Sequence, residues 1–173
     1  VVPELSRFNV ELNGTPWPLA GRALRGIEEE LTGTWRQCLE VAHEFEGTLI
    51  MIGILPTVRE QDLSLANISP LNRYYALNEQ VLKSRHGRPI QLDIQGREHL
   101  RLTHADVMLE AATTSFQVHL QAPADEAVRY YNAAQILCAP MVALAANSPF
   151  LFGKQLWEET RVPLFEQAVD VGD

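Results

Sequence analysis

The sequence predicts an α+β fold in which an antiparallel sheet packs against helices. Three observations predict it. Apolar and polar residues alternate at period two in several short stretches, whereas longer stretches repeat apolar residues at helical spacing. At 173 residues, 46% of them hydrophobic, the chain has room for one domain, residues 1–173, with a core that supports itself without disulfides or a structural metal.

The elements follow in order. Over residues 7–13 the alternation puts Phe8, Val10 and Leu12 on one face and Arg7, Asn9 and Glu11 on the other, the pattern of a half-buried strand. After the break at Pro16 and Pro18, Leu24, Ile27, Leu31, Trp35, Cys38, Ala42 and Phe45 predict a long amphipathic helix, weakened by Gly26 and Gly33 and stopped by Gly47. Residues 48–55 form a short apolar run closed by Pro56, which reads as a buried strand. Ser69 and Pro70 resemble a helix start, with Leu71, Tyr74, Tyr75, Asn78, Val81 and Leu82 continuing it towards Gly87.

Ile90, Leu92 and Ile94, then Leu100 and Leu102 across Gly96, predict a hairpin. Residues 103–112 read as a helical turn or an irregular connection. The clearest alternation in the chain lies at 114–121, with Phe116, Val118 and Leu120 facing a core and Gln117, His119 and Gln121 facing away. A third helix begins near Pro123 and carries Val128, Tyr131, Ala134, Cys138 and Val142, with Pro140 expected to kink or end it. A short last helix is expected from Leu156 to about Val169.

Charge narrows the partners. Fourteen Lys and Arg against twenty-two Asp and Glu give a formal charge of −8, so a generic nucleic-acid binder, which needs a cationic surface, is not expected. The longest apolar stretch, residues 133–146, is interrupted by Gln135 and Pro140 and is shorter than the roughly 20 residues of a bilayer span. No targeting segment is visible at Val1, and the start is expected to be an internal cut. Cys38 and Cys138 sit in apolar helical patterns, which favours buried thiols over a secreted disulfide framework, so a reducing cytoplasm is the expected compartment.

Signatures of zinc proteases, serine hydrolases, Walker-type nucleotide sites and dinucleotide folds are absent from the sequence. What remains is a pair of polar strand faces, Arg7/Asn9/Glu11 and Gln117/His119/Gln121, whose side chains suit hard cations or phosphate oxygens. Such faces are also ordinary wet sides of antiparallel sheets.

Three segments together resemble the glutamate–cysteine ligase family, carboxylate–amine ligases with a glutamine-synthetase-like fold. They are Glu4-Leu-Ser-Arg-Phe-Asn-Val-Glu11, Thr114-Ser-Phe-Gln-Val-His-Leu-Gln121 and Ala146-Asn-Ser-Pro-Phe-Leu-Phe-Gly-Lys154. The resemblance implies a curled antiparallel sheet holding ATP and Mg2+, and an acyl phosphate that an amine attacks. It places Glu4, Glu11 and Gln117 as metal ligands, His119 beside metal or phosphate, Ser148 on the substrate loop, and Lys154 and Arg161 against anionic groups. Glu4 and Glu11 are seven apart, an odd separation, so Glu4 must precede the strand or follow a bulge.

The family's Gly-x-Glu-x-Glu nucleotide strand does not occur in this sequence, and the stretch between Gly153 and Arg161 departs from the family's usual one. The missing strand implies a central fragment of a ligase, whereas the second departure bears on Arg161 alone. A noncatalytic binding or regulatory module that keeps the sheet is the alternative, and guanidino phosphotransferases, which share the sheet architecture, lack support from their characteristic loops. On a helix surface Arg161 would pair with Glu158 or Glu159, worth only about 0.2–0.5 kcal/mol. The expected partners are a small carboxylate and an amine, with self-association through exposed sheet edges.

Overall fold

The computed structural model describes residues 1–170. Strands β1 (Val2–Pro3) and β2 (Val10–Glu11) pair antiparallel, and helix α1 (Ala23–Glu44) follows. Helix α2 (Asn72–Ser84) leads into the hairpin of β3 (Ile90–Gln95) and β4 (His99–His104). A 3-10 turn at Val107–Ala112, helix α3 (Ala127–Ala145), the small pair β5 (Phe150–Leu151) and β6 (Lys154–Gln155), and helix α4 (Arg161–Val169) complete the chain.

The fold is α+β, with its strands in small antiparallel pairs. The hairpin is where the sequence placed it. Ile94 faces Leu100 and Leu92 faces Leu102 across the pair, and alternation buries Ile90, Leu92 and Ile94 completely. Helix α4 packs on β3 and on the 3-10 turn, and α2 on that turn, so that Leu164 and Ala168 of α4, Met108 and Leu109 of the turn, Tyr74 of α2 and Leu5, Ile54, Leu63 and Ile68 share one core with the hairpin face. One buried polar group joins two of these elements: Asn78 Oδ1 accepts the Val107 backbone N–H at 3.1 Å, satisfying a donor that burial would otherwise strand.

Several expected elements differ. Only Val10 and Glu11 of the strand expected over 7–13 are paired, because the chain turns near Ser6 and Arg7, whose backbones bond to Ile68 and Asn67 instead. The run 48–55 contributes a single bridge, Ile54 to Thr113, and leaves Ile50 and Met51 exposed. The alternating segment 114–121 is not a strand: no neighbouring strand offers it a ladder, and Phe116, Val118 and Leu120 stand exposed. Helix α3 runs through Pro140 without ending. It lies in solvent, where the Ile136 carbonyl deprived of its N–H partner can be hydrated. Helix α4 starts five residues later than the expected Leu156, since 156–160 serve the loop described below.

Candidate functional site

A closely knit polar cluster lies where residues 146–161 return to the core. β5 and β6 form a tight two-strand turn in which Phe152 and Gly153 take positive φ, 49° and 76°. The turn brings the chain back on itself, so that Ser148 pairs in parallel with Glu159: the Ser148 N–H bonds the Glu158 carbonyl at 3.1 Å, and the Thr160 N–H bonds the Ser148 carbonyl at 3.1 Å. Ser148, Glu159 and Thr160 are all buried.

Burial of a carboxylate requires partners, and Glu159 has them. The Ser148 hydroxyl donates to its Oε1, and the Arg161 guanidinium forks onto both oxygens, Nε to Oε1 and Nη2 to Oε2, each at 2.6 Å. Burial alone would raise the Glu159 carboxyl, but the hydrogen bonds from Arg161 and Ser148 outweigh it and hold it below its ordinary value. The Arg161 guanidinium is held above its own by the same pairing.

The other side of this loop is fastened to the hairpin turn. Glu98 accepts Lys154 Nζ at 3.1 Å and the Gln155 N–H at 2.7 Å, and those two bonds lower its carboxyl pKa. Trp157 Nε1 donates to the Gln95 carbonyl at 2.9 Å. Gly96 lies so near Leu156 that a Cβ would stand 2.5 Å from its backbone.

Of the sequence-predicted residues, Ser148 and Arg161 are thus together, and Lys154 is on the same loop, paired with Glu98. The acidic candidates lie elsewhere. The Glu4 carboxylate accepts the Leu5 N–H at 2.8 Å, and Glu11 stands exposed on β2. Gln117 is exposed; its side chain donates to Ser115 Oγ at 3.3 Å, and its oxygen is 3.3 Å from His119 Nε2. Among the described residues no group of three or more His, Cys, Asp and Glu side chains is arranged to hold a metal ion. These donors therefore do not by themselves fit a cation.

Beside β1 and β2 a hollow of about 390 Å3 is lined by Pro3, Ser6, Arg7, Asn9, Ser69 and Pro70 among others, and the buried Ser6 hydroxyl has no hydrogen-bond partner. Near the same region Glu110 is raised above its ordinary value, first by burial and then by the Glu4 charge. Sequence reasoning missed Glu159 as a buried partner, Glu98 as the anchor of Lys154, and the close approaches at Gly53 and Gly96. The proximity of Glu159 to Arg161 was the one legible signal. Among the described residues no helix is long and apolar enough to cross a membrane.

The model of a family described as "Glutamate-cysteine ligase family 2 (GCS2)" matches residues 1–171 of the chain. No curated protein and no solved structure matches it significantly.

Proposed function

This chain belongs to glutamate–cysteine ligase family 2, and on that premise we propose that it forms part of an ATP- and Mg2+-dependent carboxylate–amine ligase. In this reading a substrate carboxylate oxygen takes the γ-phosphoryl group of ATP and ADP leaves. The amine nitrogen then attacks the acyl carbon, losing a proton as phosphate departs and the amide bond forms. The observation that carries the reading is the family match along essentially the whole chain.

The roles proposed for side chains follow from their chemistry. Glu11 and Gln117 present oxygens suited to a hard cation, with Glu4 as a further acidic candidate; they do not complete a coordination shell on their own. His119, next to Gln117, is proposed to face phosphate. Lys154 supplies a cation near the substrate loop, where its charge would offset anionic oxygens once it leaves Glu98. Ser148 holds that loop in shape through Glu159 and Thr160. Cys38 is half-buried and Cys138, on the solvated helix α3, is exposed, so the expected buried thiols are not found; both are free, which agrees with a cytoplasmic setting.

The engagement of Glu4, Lys154 and Arg161 with groups of the chain itself favours the second reading, a noncatalytic module that keeps the family's loops. Coupled measurement of ADP release decides between them. With ATP, Mg2+, glutamate and cysteine together, ADP release requires both amino acids, and Glu11→Gln lowers turnover about a hundredfold, the size typical for loss of a group that stabilises developing charge. If ADP release is absent and calorimetry detects no Mg2+-dependent ATP binding, the ligase reading fails and the module stands.

A further inference from the structure

Arg161 stands where three distant segments meet. Besides its fork on Glu159, its Nη1 donates to the Thr114 carbonyl at 2.6 Å, and its backbone N–H reaches Ser148 Oγ at 3.3 Å. Thr114 is held twice more, by its N–H on the Gly53 carbonyl at 2.9 Å and by its hydroxyl on the Ile52 carbonyl. Gly53 completes the junction, since a Cβ there would lie 2.8 Å from Arg161 Nε and 2.5 Å from Asn147 Oδ1. The guanidinium passes through space that only glycine leaves open.

This arrangement differs from an anion-binding arginine. A guanidinium that meets a phosphate or carboxylate ligand normally turns its fork towards it. Here the fork is spent on a buried carboxylate of the same chain, and the nitrogen left over grips a main-chain carbonyl. Thr114 is the last residue tied to the core before the exposed run that carries Gln117 and His119.

We propose that Arg161 is a positioning residue: with Glu159 it fixes the point and direction in which residues 114–121 leave the core, and thereby the placement of Gln117 and His119 relative to the Ser148 loop. It is not the group that binds the transferred phosphoryl. The mechanical part of this assignment stands on the hydrogen bonds alone. Its consequence for turnover rests on the ligase reading given above.

The test uses Arg161→Lys and Glu159→Gln. Lysine keeps a positive charge beside Glu159, so no buried carboxylate is left unpaired, but it cannot hold Glu159 bidentately and Thr114 at once. Amide exchange by NMR is expected to quicken at Thr114 by tenfold or more in both variants, with Leu92 in the hairpin unchanged as the internal check on folding. In the ligase assay kcat falls at least tenfold in both, whereas KM for the carboxylate substrate and for ATP stays within twofold.

Unchanged Thr114 exchange in both variants overturns the clamp. So does a tenfold rise in KM for the carboxylate in Arg161→Lys with Glu159→Gln behaving as the unmodified protein, which is the signature of direct ligand contact. If either variant fails to fold, the double variant Glu159→Gln/Arg161→Gln replaces it, because it leaves no charge unpaired and removes the guanidinium's bond to the Thr114 carbonyl without touching Gly53. Quickened exchange at Thr114 supports the proposal there too, and unchanged exchange overturns it. A protein with no ligase turnover at all would refute the function while the exchange result still decided the clamp.

Discussion

The stretch 90–112 and the stretch 114–145 are both rich in apolar residues, yet they meet opposite fates. In the first, Ile90, Leu92, Met108 and Leu109 are 0% exposed. In the second, Phe116 is 74%, Ile136 76% and Leu144 86% exposed, and α3 buries no residue at all. The hairpin carries its partner strand with it, one short turn away, and alternation there converts directly into burial. The alternation at 114–121 specifies which side chains want cover without supplying a neighbour to give it.

Glycines sharpen this contrast most, because one substitution has opposite signs in the two kinds of environment. Gly96→Ala forces a methyl group into the Leu156 backbone, which is not the free end of a side chain and cannot swing away. Urea denaturation is expected to show a loss of about 2–3 kcal/mol, the usual range for overpacking. In α1, which has only Ala23 buried, Gly33 has nothing within 4 Å, and Gly33→Ala should stabilise the helix by about 1 kcal/mol through propensity alone. Higher amide protection within α1 would register it. A Gly96→Ala variant as stable as the parent would mean that the hairpin turn and the 154–158 loop are not apposed in solution, and the contrast would lose its core half.

The same division explains what could be read beforehand. The hairpin, α1, α2 and α3 were legible because their periodicity is a local property, and spacing alone exposes it. The buried Ser148–Glu159–Arg161 cluster was legible only as far as the closeness of Glu159 and Arg161 in sequence. Surface pairing on a helix was the natural reading of that spacing, but Glu159 precedes α4 and is buried by Ser148, eleven residues earlier. The need for Gly53 and Gly96 could not be read at all, since the atoms that crowd them belong to Arg161 and Leu156. For the candidate metal side, sequence named donor types, Glu4, Glu11 and Gln117, whose convergence depends on chain folding that periodicity does not describe.

Acid response gives a smaller effect with opposed signs inside the core region. Glu159 is held below its ordinary value, so its contribution is present above the unfolded-state value and is lost as pH falls through the folded one. Glu110 is raised by burial, then by Glu4; its folded form binds the proton more tightly, so stability is full below the unfolded-state value and declines as pH rises through the folded one. Glu110→Gln removes the charge and keeps the shape. It should raise Tm at pH 7 by about 1–2 °C, and in acid, below the ordinary carboxylate range, the difference should vanish in calorimetry. A lower Tm at pH 7 would show that the charged form is favourably paired.

The smallest expected effect on stability tests the exposed region directly. Ile136→Lys combined with Leu144→Lys places two charges on α3, where both parent side chains stand mostly in solvent. Neither change removes a buried contact, and lysine is a good helix former, so the folding free energy should stay within about 0.5 kcal/mol of the parent. What should change is association. Apolar side chains crowded along α3 and residues 116–120 make contact between copies favourable, and the double variant removes part of that apolar area and puts in its place two ammonium groups that contact would have to strip of water. Light scattering at high concentration should show association by the parent and less by the double variant. A loss of more than 2 kcal/mol would instead mean that α3 packs against the hairpin core in solution. The two stretches would then share one fate, and the difference between them would lie only in which surface covers each.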